Sequence, residues 1–185
     1  MVARIAPANG PFGPEIQAAL DATMRGKPPL ALFTTLARDQ RLFRKFFGGG
    51  LLDRGHLAKR HREIVILRTT ALCGSEYEWG VHVTTFSEAA KFTTAQIQSL
   101  YNGQATDPCW RLAEEGALIR MCDALHRNCT LASELWEDLS CHFSEEGMIE
   151  LLMLAGFYRT VSYLTNALQL PLESYAARFP VHAID

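Results

Sequence analysis

LAKRHREIVILRTTALCGSEYEWGVH, residues 57–82, is the stretch on which the fold turns. Ile64, Leu67 and Ala71 recur at i, i+3 and i+7, with Val65 and Leu72 beside them. That period lays an apolar stripe along one helix and predicts a helix over 57–72. Gly74 follows, where a helix C-terminus favours a left-handed residue. Ser75 then opens a second helix, predicted to run to about 91.

Outward from this pair the same signals repeat. Ile16, Ala19, Leu20 and Thr23 predict a helix over 14–25, with Pro14 tolerated at its start and Gly26 at its end. Pro28 and Pro29 turn the chain into a helical piece over 30–37. A third helix from Asp39 carries Leu42, Phe43, Phe46 and Phe47, and Gly48, Gly49 and Gly50 end or kink it. Further helices are predicted from Thr93 or Thr94 to Tyr101, and over 111–127, 133–143 and 144–168, where Pro171 stops the last one. No convincing alternating run of strand type occurs. The expectation is an all-α, compact domain of eight or nine helices spanning 1–185, with an irregular arm over 1–13 and a tail over 172–185.

Composition narrows the function classes. The chain has 185 residues, 48% hydrophobic and 21% charged, which suits one globular domain with a real core. A net charge of -2 gives no electrostatic case for nucleic acid. The apolar stretch over 151–172 contains Arg159, so it reads as a buried core helix and not as a membrane span. Five cysteines, Cys73, Cys109, Cys122, Cys129 and Cys141, include no C-x-x-C spacing, and no apolar leader precedes the domain. Free thiols in a reducing cytoplasm are the simplest account. Several helices are apolar on most sides, which predicts a homo-oligomer.

The chemistry-bearing residues lie in the opening stretch. Glu78 and His82 are four apart, so they share a helix face and are within reach of each other. Ser75 stands at the helix N-terminus, where free N–H groups favour an anion. A carboxylate, an imidazole and an anion-binding helix end make a proton-transfer site. The competing reading is structural: Ser75-x-x-Glu78 is a capping box that needs no catalytic role. Glu63, one helix earlier, lies on an apolar side, so it is either paired or shifted in pKa.

Arg62–Glu63–Ile64–Val65–Ile66–Leu67, then Tyr77–Glu78–Trp79 and His82, resembles the carboxymuconolactone decarboxylase family, which includes the alkylhydroperoxidase D-like proteins. Gly156–Phe157–Tyr158 and Asn166–Ala167–Leu168 fit the last long helix of that family, so the resemblance covers roughly 30–170. It implies an alkylhydroperoxidase D-like helical fold. The peroxidase-like branch carries a C-x-x-C pair before the histidine and a glutamate on the previous helix. Glu63 and His82 fit those last two positions, but Ser75 and Glu78 stand where the cysteines would be. Serine and glutamate cannot run a thiol–disulfide cycle. The Tyr-Glu-Trp segment resembles the decarboxylase-like branch. The resemblance therefore implies a cofactor-independent lyase acting on a small organic acid in aromatic compound catabolism. Glu63, Glu78 and His82 would be catalytic, and Ser75, Trp79 and Arg159 would bind substrate. Two alternatives stand beside it: a peroxidase-related protein, and a non-catalytic ligand-binding helical oligomer whose Glu63–His82 region is filled by side chains.

Other features read more simply. Arg159 is the only charge between Glu150 and Glu173, so a carboxylate partner is expected, structural or from substrate. Arg54, His56, Lys59, Arg60, His61 and Arg62 form a basic run, read as a solvated helix face. Cys122, His126 and Cys129 share a helix side, but small core residues explain the cysteines better than a metal does. Trp79, Trp110 and Trp136 read as core or interface aromatics.

Overall fold

Nine consecutive residues of one helix, Arg62 to Thr70, are buried, and this helix is the axis of the fold. The computed structural model describes residues 3–180, and nine α-helices are found among them. They are α1 (Pro14–Met24), α2 (Ala31–Leu36), α3 (Gln40–Gly48), α4 (Lys59–Leu72), α5 (Glu76–Phe86), α6 (Thr94–Asn102), α7 (Ala113–Asn128), α8 (Ser133–Ser140) and α9 (Glu145–Ala167). The all-α expectation holds. The helix expected over 75–91 stops at Phe86, and 87–91 is a turn in which Lys91 takes a positive φ of 56°.

Helix α4 packs against α5, α6, α7 and α9. A helix surrounded in this way has no solvent face, which is why its apolar run Ile64–Val65–Ile66–Leu67 continues past a single stripe. Its polar residues must then find partners inside. Arg68 does so through Asp123, at 2.7 and 3.1 Å. Arg60 pairs with the buried Glu115 and stacks over Phe92. Arg62 donates to the Asp53 carbonyl. His61 meets the ring of Phe143. The basic run is therefore no solvated face: Arg54, His56 and Lys59 are exposed, but residues 60–62 turn inward because α7 and the Ala90–Lys91 carbonyls face them.

The α4–α5 connection fixes the relation of the two chemistry-bearing helices. Gly74 takes φ +64°, its N–H reaches Ala71 O at 2.9 Å, and the Ser75 N–H reaches Thr70 O at 2.9 Å. This pair of bonds is a Schellman closure, and only glycine adopts that backbone without steric cost. The side chain of Asn166 on α9 adds a bond to Cys73 O at 2.9 Å.

A smaller apolar cluster, Ile16, Leu20 and Phe43, joins α1 to α3 beside the main core. At the other end of the chain, residues 173–179 run back along α5. Ala177 N donates to Thr84 Oγ1 at 2.8 Å, Phe179 N to Glu76 Oε1 at 3.0 Å, and the Phe179 ring packs on Trp79. No helix among the described residues is long and apolar enough to cross a membrane.

Candidate active site

Three helices contribute to one buried polar centre. Glu63 comes from α4, Glu78 and His82 from α5, and Tyr158 from α9. Each is less than a tenth exposed, and His82 is 3% exposed. Glu63 Oε2 lies 2.9 Å from His82 Nδ1. On the other edge of the ring, Tyr158 Oη is 3.2 Å and Glu78 Oε1 is 3.4 Å from Nε2. The Tyr158 ring meets the imidazole edge to face, with centroids 5.1 Å apart.

The electrostatics follow from that geometry. Burial works to lower the pKa of His82, because it penalises the charged ring. The adjoining carboxylates of Glu63 and Glu78 outweigh burial and raise it to about 10. His82 is thus an imidazolium at neutral pH, with Nδ1–H donated to Glu63 and Nε2–H directed at Glu78 and Tyr158. Burial pushes the Tyr158 hydroxyl well above its usual range, and the charges of Glu78 and Glu63 add to this, so it remains protonated. Arg62 acts on Tyr158 in the opposite sense and brings a positive charge to the same neighbourhood.

Two buried polar atoms near this centre have no hydrogen-bond partner: Glu78 Oε2 and Arg62 Nε. Such atoms are uncommon in protein interiors, and functional sites are one place they collect. All four side chains are buried where α4, α5 and α9 meet. Neither of the two cavities characterised in the fold is lined by Glu63, Glu78, His82 or Tyr158.

The other residues singled out from sequence sit elsewhere. Ser75 forms no capping box with Glu78. Its hydroxyl is drawn to Thr165 Oγ1 on α9 at 2.8 Å, and no side-chain cap closes α5. Its N–H is consumed by Thr70 O, so it is not free to hold a substrate anion. The capping box of this fold is Thr93–Gln96, on α6. Trp79 is buried against Tyr101 and Phe179, with Nε1 unpartnered. Arg159 is half-buried and has no carboxylate partner among the described residues. It donates to Tyr163 Oη at 2.8 Å and to His126 O at 3.3 Å. It follows Tyr158 directly, about 100° further round α9, so the two side chains leave the helix on different sides.

Tyr158 was missed as a site residue. The signal available for it was weak: a tyrosine in an apolar helix needs a partner for its hydroxyl, and sequence does not say which.

Burial shifts two of the five thiols. Burial raises the pKa of Cys73, which makes it a poorer nucleophile, and it neighbours Arg159 and Ser162 on α9. Cys122 is buried, and its thiol is pushed up to about 12.

Residues 40–119, which include Glu63, Glu78 and His82, match the carboxymuconolactone decarboxylase family. The whole helical arrangement matches solved structures of the AhpD-like type. Over those residues the chain is similar to the carboxymuconolactone decarboxylase family, and its helices are arranged as in the AhpD-like fold. One similar structure is the debrominase Bmp8, at 14% identity over 92% of each chain and a TM-score of 0.77. Another is an uncharacterized peroxidase-related protein from Silicibacter sp. TM1040, at 16% identity over 93% of this chain and 92% of that one, with a TM-score of 0.78. A third is a peroxidase-related protein with an alkylhydroperoxidase AhpD core from Ralstonia eutropha JMP134, at 14% identity over 92% and 93%, with a TM-score of 0.68. At these identities the likeness is one of fold. No match is found among curated proteins.

Proposed function

We propose that this is a peroxidase-related, AhpD-like protein in which His82 works as a proton donor to a small organic anion, without a thiol redox step. The observation that carries this reading is the placement of His82 between two carboxylates, which keeps the ring protonated at neutral pH. Glu63 orients the ring through Nδ1 and leaves Nε2–H as the transferable proton. Glu78, with one unpartnered oxygen, and Tyr158 stand where a substrate would meet that proton.

The narrower form of the proposal is a decarboxylase-like step on a small organic acid. The bond to the carboxylate breaks, CO2 leaves, and the electron pair stays on the substrate as an enolate. Nε2–H of His82 protonates the enolate carbon, and the neutral ring recovers its proton from water. An enolate is a far stronger base than imidazole, so a donor with a pKa near 10 still transfers downhill.

Peroxidase chemistry by the dithiol route is favoured by the names of the structural neighbours, but the positions before His82 where the two cysteines would stand hold Ser75 and Glu78. The burial of all four side chains around His82 favours a second reading, a non-catalytic helical protein in which the centre only holds α4, α5 and α9 together.

The test compares wild type with His82→Gln, Glu63→Gln and Cys73→Ser on two reactions. One is CO2 release from small lactone and keto acids, with 4-carboxymuconolactone among them. The other is tert-butyl hydroperoxide consumption with dithiothreitol. CO2 release lost in the first two variants and kept in Cys73→Ser supports the proposal. Peroxide consumption that depends on Cys73 overturns it, and inactivity in both reactions supports the non-catalytic reading.

A further inference from the structure

A separate cavity of about 210 Å³ lies between α7 and α9, and none of the His82 centre lines it. Its walls are mostly apolar: Cys122 and Leu125 from α7, Leu152 and Ala155 from α9. Arg159 lines the same cavity. Two bonds anchor the guanidinium, from Nε to Tyr163 Oη and from Nη1 to the His126 carbonyl, while Nη2 has no partner among the described residues.

The charge balance around Arg159 is one-sided. On α7, Asp123 is held through both of its oxygens by Arg68. The ring of His126 has its pKa lowered, by burial first and by Arg159 second, so it adds no charge at neutral pH. The guanidinium stands at the open side of this cavity without a carboxylate, and its planar fork is suited to binding one bidentately. An apolar cavity of about 150 Å³ is already large enough to take benzene. The cavity here has room for one ring and a short acidic arm.

We propose that this cavity is a binding site for a small aromatic or branched aliphatic carboxylate, with its apolar body between α7 and α9 and its carboxylate on Arg159. The site stands whether or not His82 is catalytic, since the two share no lining residue. It gives Arg159 the anionic partner that the fold itself does not provide.

Benzoate is the probe, and benzyl alcohol is its uncharged counterpart of the same ring size. Each is titrated into the full chain while the methyl signals of Leu125, Leu152 and Ala155 are followed by NMR. Saturable shifts of these methyls are expected with both ligands, with benzoate the tighter. Arg159→Gln should weaken benzoate about tenfold or more, the loss expected for a charged hydrogen-bonded contact, and leave benzyl alcohol within about twofold. Ala155→Leu fills the cavity and should abolish both. If Ala155→Leu does not fold, slowed alkylation of the exposed Cys129 by saturating benzoate is the replacement measurement, because Cys129 lines the same cavity. Benzoate that leaves these methyls unshifted, binds Arg159→Gln as tightly as wild type, or fails to protect Cys129 overturns the proposal.

Discussion

Glu63 Oε2 lies 2.9 Å from His82 Nδ1, and the two side chains come from different helices with both groups buried. A separation of nineteen residues is closed by one tight turn at Gly74. The contact couples the charge state of the site to the packing of α4 on α5.

Glu63→Gln removes the charge that outweighs burial on the Nδ1 side. His82 should then titrate at least about one unit lower, since a carboxylate at this distance shifts a partner by about 1–3 units. The measurement is the imidazole carbon and nitrogen shifts of His82 against pH. Breaking one side of a buried pair should also cost about 3 kcal/mol in urea unfolding at pH 7. An unchanged His82 titration would show that Glu63 does not set its charge.

The raised pKa of His82 makes stability depend on pH with a definite sign. In the unfolded chain the ring titrates near 6.5, and in the folded chain near 10. Its contribution is therefore full below about 6.5, declines through the interval between the two values, and is gone above about 10. The slope from this group is at most about 1.4 kcal/mol per pH unit. Urea titrations at pH 7 and pH 9 should show the wild type losing stability with rising pH, and His82→Gln losing less.

Cys73 should behave as a slow thiol. Its pKa is raised by burial, whereas Cys129 is exposed. Iodoacetamide at neutral pH should label Cys129 well before Cys73, read by peptide mass spectrometry. Faster labelling at Cys73 would point to an activated thiol and reopen a redox role.

Gly80→Ala should loosen the segment that crosses α5. A Cβ at Gly80 would sit 2.1 Å from Ala177 O, which is closer than any real contact, and the obstacle is backbone. The segment has to move, at a cost of about 1–3 kcal/mol. The change should appear in Trp79 fluorescence, because Phe179 packs against that ring. An unaltered spectrum with unaltered stability would mean that the segment's contacts with α5 contribute little.

Exposed Ile149, Met153 and Tyr163 share one side of α9 and fit the homo-oligomer expected from the apolar helices. Met153→Glu should lower the solution mass measured by light scattering if that side is the subunit contact. A mass unchanged by the substitution would place the contact elsewhere or leave the chain monomeric.

Local signals carried the helices because their causes are local. The stripe Ile64–Leu67–Ala71, the left-handed Gly74 and the N-cap Asp39, which accepts from Leu42 N, all act within a few residues. The proximity of Glu78 to His82 was legible for the same reason, since a spacing of four on one helix brings side chains together. The capping box at Ser75 failed because a residue ninety positions away, Thr165, offers the serine hydroxyl a better-placed partner. The solvated basic face failed similarly, because α7 brings Glu115 to Arg60.

The sequence by itself determined the helical class, the α4–α5 unit and the absence of a cysteine pair before His82. Periodicity, backbone preference and residue identity are written residue by residue, so no folding is needed to read them. Only the tertiary structure decided that Glu63 and Tyr158 flank the two nitrogens of His82, and that Arg159 lines a different cavity. Those facts depend on which helix faces meet, and hence on the summed packing of the α4 core, in which each contact joins residues far apart in the chain.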